Sequence, residues 1–390
     1  MVARLFRRSV LALALVGTLS ACSSVQETVT GWFSKDRNKD GLPAELVELK
    51  SATELSVRWH ESVGEAGLGV LQPALTEDAL YAANVAGGLY RLDRRSGKVI
   101  WHLDTGLVQT GGVGAGGGLV LVGGEKGELA AYGEDGRLRW KVKVSSEVLS
   151  VPQVAGDLVV VRAGDGRIVG LNAADGKPRW NYQRPTPALI VRSHAGVAIQ
   201  RGSVFAGFAG GKLVSLDLAT GSLNWEAVVS QPRGNTELER ISDITSSPVL
   251  DDEQVCAISF QGHLACFDLE QGSLLWSRDI SSDKGLMLLR KYLYLSDSHG
   301  AVMALDKTSG ATLWKNEQLF RRRISVPVAL GNYLAVGDLE GYLHLLNRED
   351  GSLAGRIATD GSPVDAIPQA LDNGVLLQTH GGGLYSLGLH

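Results

Sequence analysis

The sequence predicts an all-β ring, an eight-bladed β-propeller of four-stranded antiparallel blades, closed by an N-terminal strand at about 55–60 pairing with C-terminal strands. Three observations carry this expectation. One phrase recurs along the chain, as GKLVSLDLATGSLNW (211–225), GHLACFDLEQGSLLW (262–276) and GAVMALDKTSGATLW (300–314). Aligned on tryptophan, it falls at positions 59, 101, 140, 180, 225, 276 and 314, with Gly355 in the slot of a degenerate copy. A period near 40 residues, built of short apolar runs and glycine turns, is that of a propeller blade, and no helical i, i+3, i+4 spacing is sustained between residues 55 and 390.

Taken in order, residues 1–21 read as a lipoprotein signal peptide: Arg4, Arg7 and Arg8, an apolar run from Val10 to Leu19, then small residues before Cys22. That run is too short to span a membrane. Cys22 resembles the lipidated cysteine of bacterial lipoproteins, and Ser23 after it favours the outer membrane. Residues 22–50 read as the lipidated N-terminus and a polar, aperiodic tether, and 51–390 as the propeller. Removing three arginines and no acid takes the formal charge from −4 to −7, which argues against nucleic-acid binding.

Within a repeat, KLVSLDL is a strand buried on both faces, Asp217 opens a turn by accepting backbone N–H groups, and Gly221 supplies its left-handed residue. Trp225 then sits in the outer strand, against the neighbouring blade. Pro73, Pro152, Pro248, Pro327 and Pro368 begin the innermost strands, whose channel edge needs no N–H. The C-terminal GGGLYSL (381–387) lacks a tryptophan-bearing strand after it, and LSVRWH (55–60) is such a strand with nothing before it. Together they complete the eighth blade.

Cys256 and Cys266 flank the turn FQGH (260–263) symmetrically, so a hairpin places them opposite each other, either bridged or as two small buried thiols. GVGAGG (112–117) precedes a strand and reads as a turn, not as a nucleotide loop. The histidines show no metal-ligand spacing and read as solvated turn residues; RRR (321–323) reads as a solvated face of an inter-blade loop.

The pattern Asp-x-x-x-Gly-x-x-x-Trp resembles the repeat of pyrroloquinoline-quinone dehydrogenases, also eight-bladed. Those enzymes stack the quinone on two adjacent cysteines, whereas Cys256 and Cys266 are ten apart, and their calcium needs converging acids where this chain has single acids in turns. No cofactor, metal or catalytic group is therefore expected. The whole mature chain, with SDITSSPV (242–249), VGDLEGYLHLLNREDG (336–351) and GNTELERISD (234–243), resembles the BamB family of lipoproteins. That resemblance implies a non-catalytic scaffold of the outer-membrane β-barrel assembly (BAM) complex, lipid-anchored in the outer membrane and facing the periplasm. Its partner would be the POTRA domains of BamA, with nascent outer-membrane β-barrel strands as a second partner that the ring's strand edges could receive. A quinone-dependent dehydrogenase, or another ligand-binding propeller, is the alternative.

Two junctions are longer than the rest: Trp180 to Ala195 and Trp225 to Pro248, on consecutive blades and one face of the ring. They carry Leu189, Val191 and Arg192, and Glu237, Glu239, Arg240 and Asp243. Apolar anchors beside an arginine with acids nearby suit a protein interface; alternatively these side chains stitch the two loops together. The resemblance implies that Leu189, Val191, Arg192 and Asp243 contact BamA, while Thr245 stands where relatives carry another acid.

Overall fold

The computed structural model describes residues 41–49, 53–67 and 69–390. The signal peptide and Cys22 lie outside the described residues, as does most of the tether. Gly41–Ala44 belong to a unit of their own and carry no strand; Glu45–His390 form the other unit, which contains the ring.

That ring has eight four-stranded sheets, all antiparallel, and no helix among the described residues. Blade 1 begins at Ala74–Leu75, blade 2 at Gly114–Gly116, blade 3 at Gln153–Ala155 and blade 4 at Val197–Gln200. Blades 5 to 8 begin at Val249–Leu250, Leu286–Leu289, Val328–Leu330 and Gln369–Leu371. In blades 1 to 7 the four strands follow in chain order from the channel outward. In blade 8 the outer strand is Leu55–Ser62, paired with Gly383–Leu389 from Leu55↔Leu389 to Ser62↔Gly383. The expected closure is therefore the observed one. Pro73, Pro152, Pro248, Pro327 and Pro368 each stand one residue before an innermost strand.

There is no single central core. Eight apolar clusters fill the eight junctions, each drawn from two adjacent blades: Phe205 and Leu213 of blade 4, for example, pack with Val255 and Phe267 of blade 5. Tryptophan locks these junctions. A β-bulge precedes it in the outer strand, as where Trp225 faces Ser215 and Leu223 faces Leu216. A bulge re-aims the side chain that follows. The ring then reaches the turn glycine of the next blade: a Cβ on Gly97, Gly221, Gly272 or Gly310 would stand 2.5 Å from Trp59, Trp180, Trp225 or Trp276. These glycines are left-handed, with φ near +70°, so their turn and their lack of a side chain serve two requirements at once. The indole N–H also donates across the junction, Trp140 to the Ala173 carbonyl at 2.7 Å and Trp180 to that of Leu218 at 2.9 Å.

Three expectations need correction. Only Gly117 of GVGAGG lies in the turn, which Gly118 completes; Gly114–Gly116 are the innermost strand of blade 2. Glycine is required there because a Cβ on Gly114 would stand 2.2 Å from the Pro152 carbonyl oxygen. The arginine run is a solvated face only in part: Arg321 and Arg323 are exposed, but Arg322 is 2% exposed and its Nε donates to Asp338 at 2.7 Å, while a second nitrogen pairs with Glu340. His344, also buried and no turn residue, shares the same Asp338 oxygen at 2.8 Å. Burial pulls the Asp338 carboxyl up, but His344, the Tyr342 amide and Arg322 outweigh it and leave it below the usual carboxylate range. Burial pulls His344 below its ordinary value, against the attraction of Asp338.

Candidate docking face

The chain ends each blade and begins the next on one face of the ring, which also carries every turn between second and third strands. Apart from the outer strands, the large exposed apolar side chains among the described residues of 55–390 all sit on this face, in the loops between blades: Val108, Leu189, Ile190, Leu238, Phe320 and Ile367. The opposite face carries the Asp-opened glycine turns instead. Three of the six belong to the two long loops, 183–196 and 229–248, on either side of blade 4.

Asp243 joins these loops. It is 4% exposed; one carboxylate oxygen accepts the Val191 amide at 2.8 Å and the other the Gly210 amide at 3.0 Å. Val191 is accordingly held by its backbone, and Leu189 and Ile190 project from the segment leading to it. Arg192 does not meet Asp243. Its Nε and a terminal nitrogen form a two-pronged pair with Glu147, at 3.2 and 2.8 Å, in the junction between blades 2 and 3. The Arg192 side chain stays half exposed, and its guanidinium holds the Glu147 carboxyl below the usual range, by hydrogen bond first and charge second.

Glu239 is engaged within its own loop. It accepts the amides of Asn235 and Thr236, at 2.7 and 3.2 Å, while the Thr236 hydroxyl accepts the Glu239 amide, a reciprocal arrangement that rigidifies the turn. Glu237, Leu238 and Arg240 are carried outward by that turn and are exposed. Thr245 is buried and its hydroxyl has no partner among the described residues. Thus Leu189, Arg192 and Arg240 are all accessible, whereas Asp243 fastens the two loops from within and Glu239, itself exposed, braces its own turn.

Inside the rim is the mouth of the central channel, a space of about 450 Å³ reached by residues of every junction, Val191 and Arg192 among them. His194 faces it with Nδ1 at 2.9 Å from the Leu149 carbonyl, and burial lowers its proton affinity. No three His, Cys, Asp or Glu side chains are grouped to hold a metal ion among the described residues. Cys256 and Cys266 are disulfide-bonded cross-strand neighbours, fully buried in the core between blades 5 and 6.

Residues 85–316 match the family described as "Outer membrane protein assembly factor BamB". The Nitrosomonas eutropha protein of that name is 42% identical over 97% of this chain and 94% of its own length. The chain belongs to the BamB family. The crystal structure of BamB from Moraxella catarrhalis superposes with a TM-score of 0.80 at 29% identity, covering 86% of this chain and all of that one. A quinohemoprotein alcohol dehydrogenase from Comamonas testosteroni gives 0.70 at 13% identity, over 88% of this chain and 78% of its own, a likeness of fold alone.

For this BamB-family chain, sequence reasoning located both long loops but missed three residues of the face. Glu147 fixes Arg192 from 45 positions away, which no local pattern announces. Ile190 and Leu238 were legible as apolar residues beside the chosen ones, and only the turn geometry shows that both point outward.

Proposed function

We propose that the protein, whose relatives are named outer membrane protein assembly factors, is a non-catalytic scaffold of the outer-membrane barrel-assembly machinery, docking through loops 183–196 and 229–248 on the POTRA domains of BamA. The observation that carries this reading is the loop face itself: two long loops joined by one buried aspartate present Leu189, Ile190 and Leu238 beside Arg192 and Arg240. Exposed apolar groups with an arginine at their border form the usual centre of a protein interface. The sequence supports the rest: residues 1–21 direct export, Cys22 carries lipid in the outer membrane, and 22–50 give the ring reach into the periplasm.

The test is capture of BamA from detergent-solubilised membranes. Arg192→Glu reverses a half-exposed charge, repels Glu147 and should weaken capture by about 2–3 kcal/mol, enough to lose a micromolar complex, with melting near wild type. Leu189→Glu should do the same without touching any ion pair. Wild-type capture by both variants would place docking elsewhere. Asp243→Arg is a different experiment, because it leaves two amides without acceptors and unfastens the loops.

A further inference from the structure

Beneath the loop face, one cation has no acceptor. Arg162 ends the second strand of blade 3, and its guanidinium lies 5.1 Å from the centroid of Phe208, which is buried. Arg184 approaches the same ring at 5.5 Å, but it is paired with Glu226 at 3.0 Å. Arg162 has no such pair. Its Nη1 is sealed from solvent without a hydrogen-bond partner among the described residues. Burial lowers its proton affinity to about 10 against the pull of Asp243, so the group is still a cation at neutral pH. Asp243 draws it by charge without a hydrogen bond; its two carboxylate oxygens accept the Val191 and Gly210 amides.

The guanidinium borders a cavity of about 40 Å³, lined also by Phe208, Thr186, Gly166, Ile190 and two carboxylates, Asp165 and Asp243. A single water needs roughly 10–15 Å³ of such space, so there is room for a group of a few atoms. The cavity opens between the turn at 164–166 and the loop at 186–191, on the docking face. Arg167 answers Asp165 at 3.6 Å and Asp243 answers Arg162 by charge, while Arg184 and Lys212 share Glu226 at 3.0 and 3.3 Å, so the surplus positive charge lies in the shell around the cavity. A planar guanidinium in a nearly dry site matches a carboxylate in shape and charge.

We propose that this cavity is a socket for a carboxylate, the Asp or Glu side chain of the protein that docks on the loop face, with the Arg162 guanidinium as its donor. The source of the carboxylate rests on the docking reading above; the chemistry of the socket does not. Its size admits a side-chain tip and little more, and a single negative charge balances the surplus positive charge.

Acetate serves as the probe. In full-length protein labelled at arginine, titration with acetate against chloride at constant ionic strength should move one guanidinium resonance saturably. That resonance should be missing in Arg162→Lys. A resonance that moves no more with acetate than with chloride means that water alone fills the cavity, and the socket is overturned. In parallel, Arg162→Gln should weaken BamA capture roughly tenfold or more. Its melting temperature should stay within about 3 °C of wild type, because no hydrogen bond is lost. Wild-type affinity in Arg162→Gln would overturn the partner assignment even if acetate binds. A sharply lower melting temperature would make Arg162 a packing residue, and the acetate titration on unaltered protein would then decide the socket. If wild-type protein itself captures no BamA, the docking reading fails and the titration still judges the socket.

Discussion

At the junction of blades 3 and 4, Trp180 lies on Gly221 and donates to the Leu218 carbonyl, at the turn between the third and fourth strands of blade 4. At the junction of blades 7 and 8 the same slot holds Gly355, and no such turn exists to receive an indole. The turn of blade 8 is where the chain's two ends meet, with the His390 amide donating to the Glu54 carbonyl at 3.3 Å. Thr53 takes the place of the tryptophan: its amide donates to the Ala354 carbonyl at 2.7 Å, and a Cβ on Gly355 would stand 2.7 Å from its carbonyl oxygen. The neighbouring Arg58, at the bulge before Trp59, donates to the Asp372 and Asn373 carbonyls, at 3.0 and 2.7 Å. A side chain fastens the regular junction, and the start of the ring's own chain fastens the closing one. The missing tryptophan is thus a consequence of where the ring is cut.

The strongest way to break the comparison is to remove the closing segment. Deleting 23–60 takes away Thr53, Arg58 and most of the outer strand of blade 8, exposing a full strand edge and half a junction core. We expect loss of the cooperative melting transition or self-association in size-exclusion chromatography. Deleting 23–50 should leave the transition near wild type. Equal melting of the two truncations would mean that the ring does not need its first strand.

The next largest effect belongs to the regular junction. Trp180→Ala removes a nearly buried indole from the core shared by blades 3 and 4 and should cost about 3–5 kcal/mol in denaturant unfolding. Trp180→Phe keeps the ring and loses the N–H donor to Leu218, for about 1 kcal/mol. A Phe variant as damaged as the Ala variant would show that the hydrogen bond, not the packing, carries the junction.

The repeat made the regular junctions legible because each of its parts is local: Asp217 opens the turn, Gly221 bends it and the tryptophan follows at a fixed distance. What the repeat could not show is which partners distant segments bring. Arg322 looked like one of three surface arginines until Asp338, 16 positions on, was placed beside it. Asp243 looked like an orienting acid for Arg192 because both were polar and near in the ring. Its actual partners are backbone amides 52 and 33 positions away, which no residue type signals. Candidate loops were visible from length alone; the division between presented and supporting side chains required burial and hydrogen bonds.

Blade 7 differs from the others in a second respect, since it holds the buried titratable groups Asp338 and His344 and receives Arg322 from the preceding loop. Asp338 titrates below its ordinary 3.8 when folded, so its contribution is present above that value and lost as pH falls through the lowered one. His344 also titrates below its ordinary 6.5, so the unfolded chain takes up its proton first and acidification below 6.5 removes stability. Both act in one direction, and the melting temperature should fall on acidification from pH 7. Asp338→Asn should cost about 3 kcal/mol at pH 7 by removing the buried carboxylate that faces Arg322 and His344, and flatten the acid side of the profile. An unchanged acid slope would assign the pH dependence to carboxylates elsewhere.

The smallest effect separates the backbone of the closing segment from its side chain. The Thr53 hydroxyl donates to the Tyr333 hydroxyl at 3.1 Å, a half-buried bond between neutral groups, whereas its amide and carbonyl stand against Ala354 and Gly355. Thr53→Ala removes only the hydroxyl and leaves Tyr333 able to turn toward water, so the cost should be about 0.5–1 kcal/mol. The comparison predicts that this is less than Trp314→Ala, which empties an indole from the junction of blades 6 and 7 together with its 3.0 Å bond to the Arg348 carbonyl. Chemical denaturation of both variants with equal m-values would measure the difference directly. If Thr53→Ala matched Trp314→Ala, the closing junction would depend on one side chain as the regular ones do, and the substitution of backbone for tryptophan at Gly355 would be wrong. If it cost nothing, the strand pairing of Leu55–Ser62 would hold the ring shut unaided, and Thr53 would only mark where the tether meets the propeller.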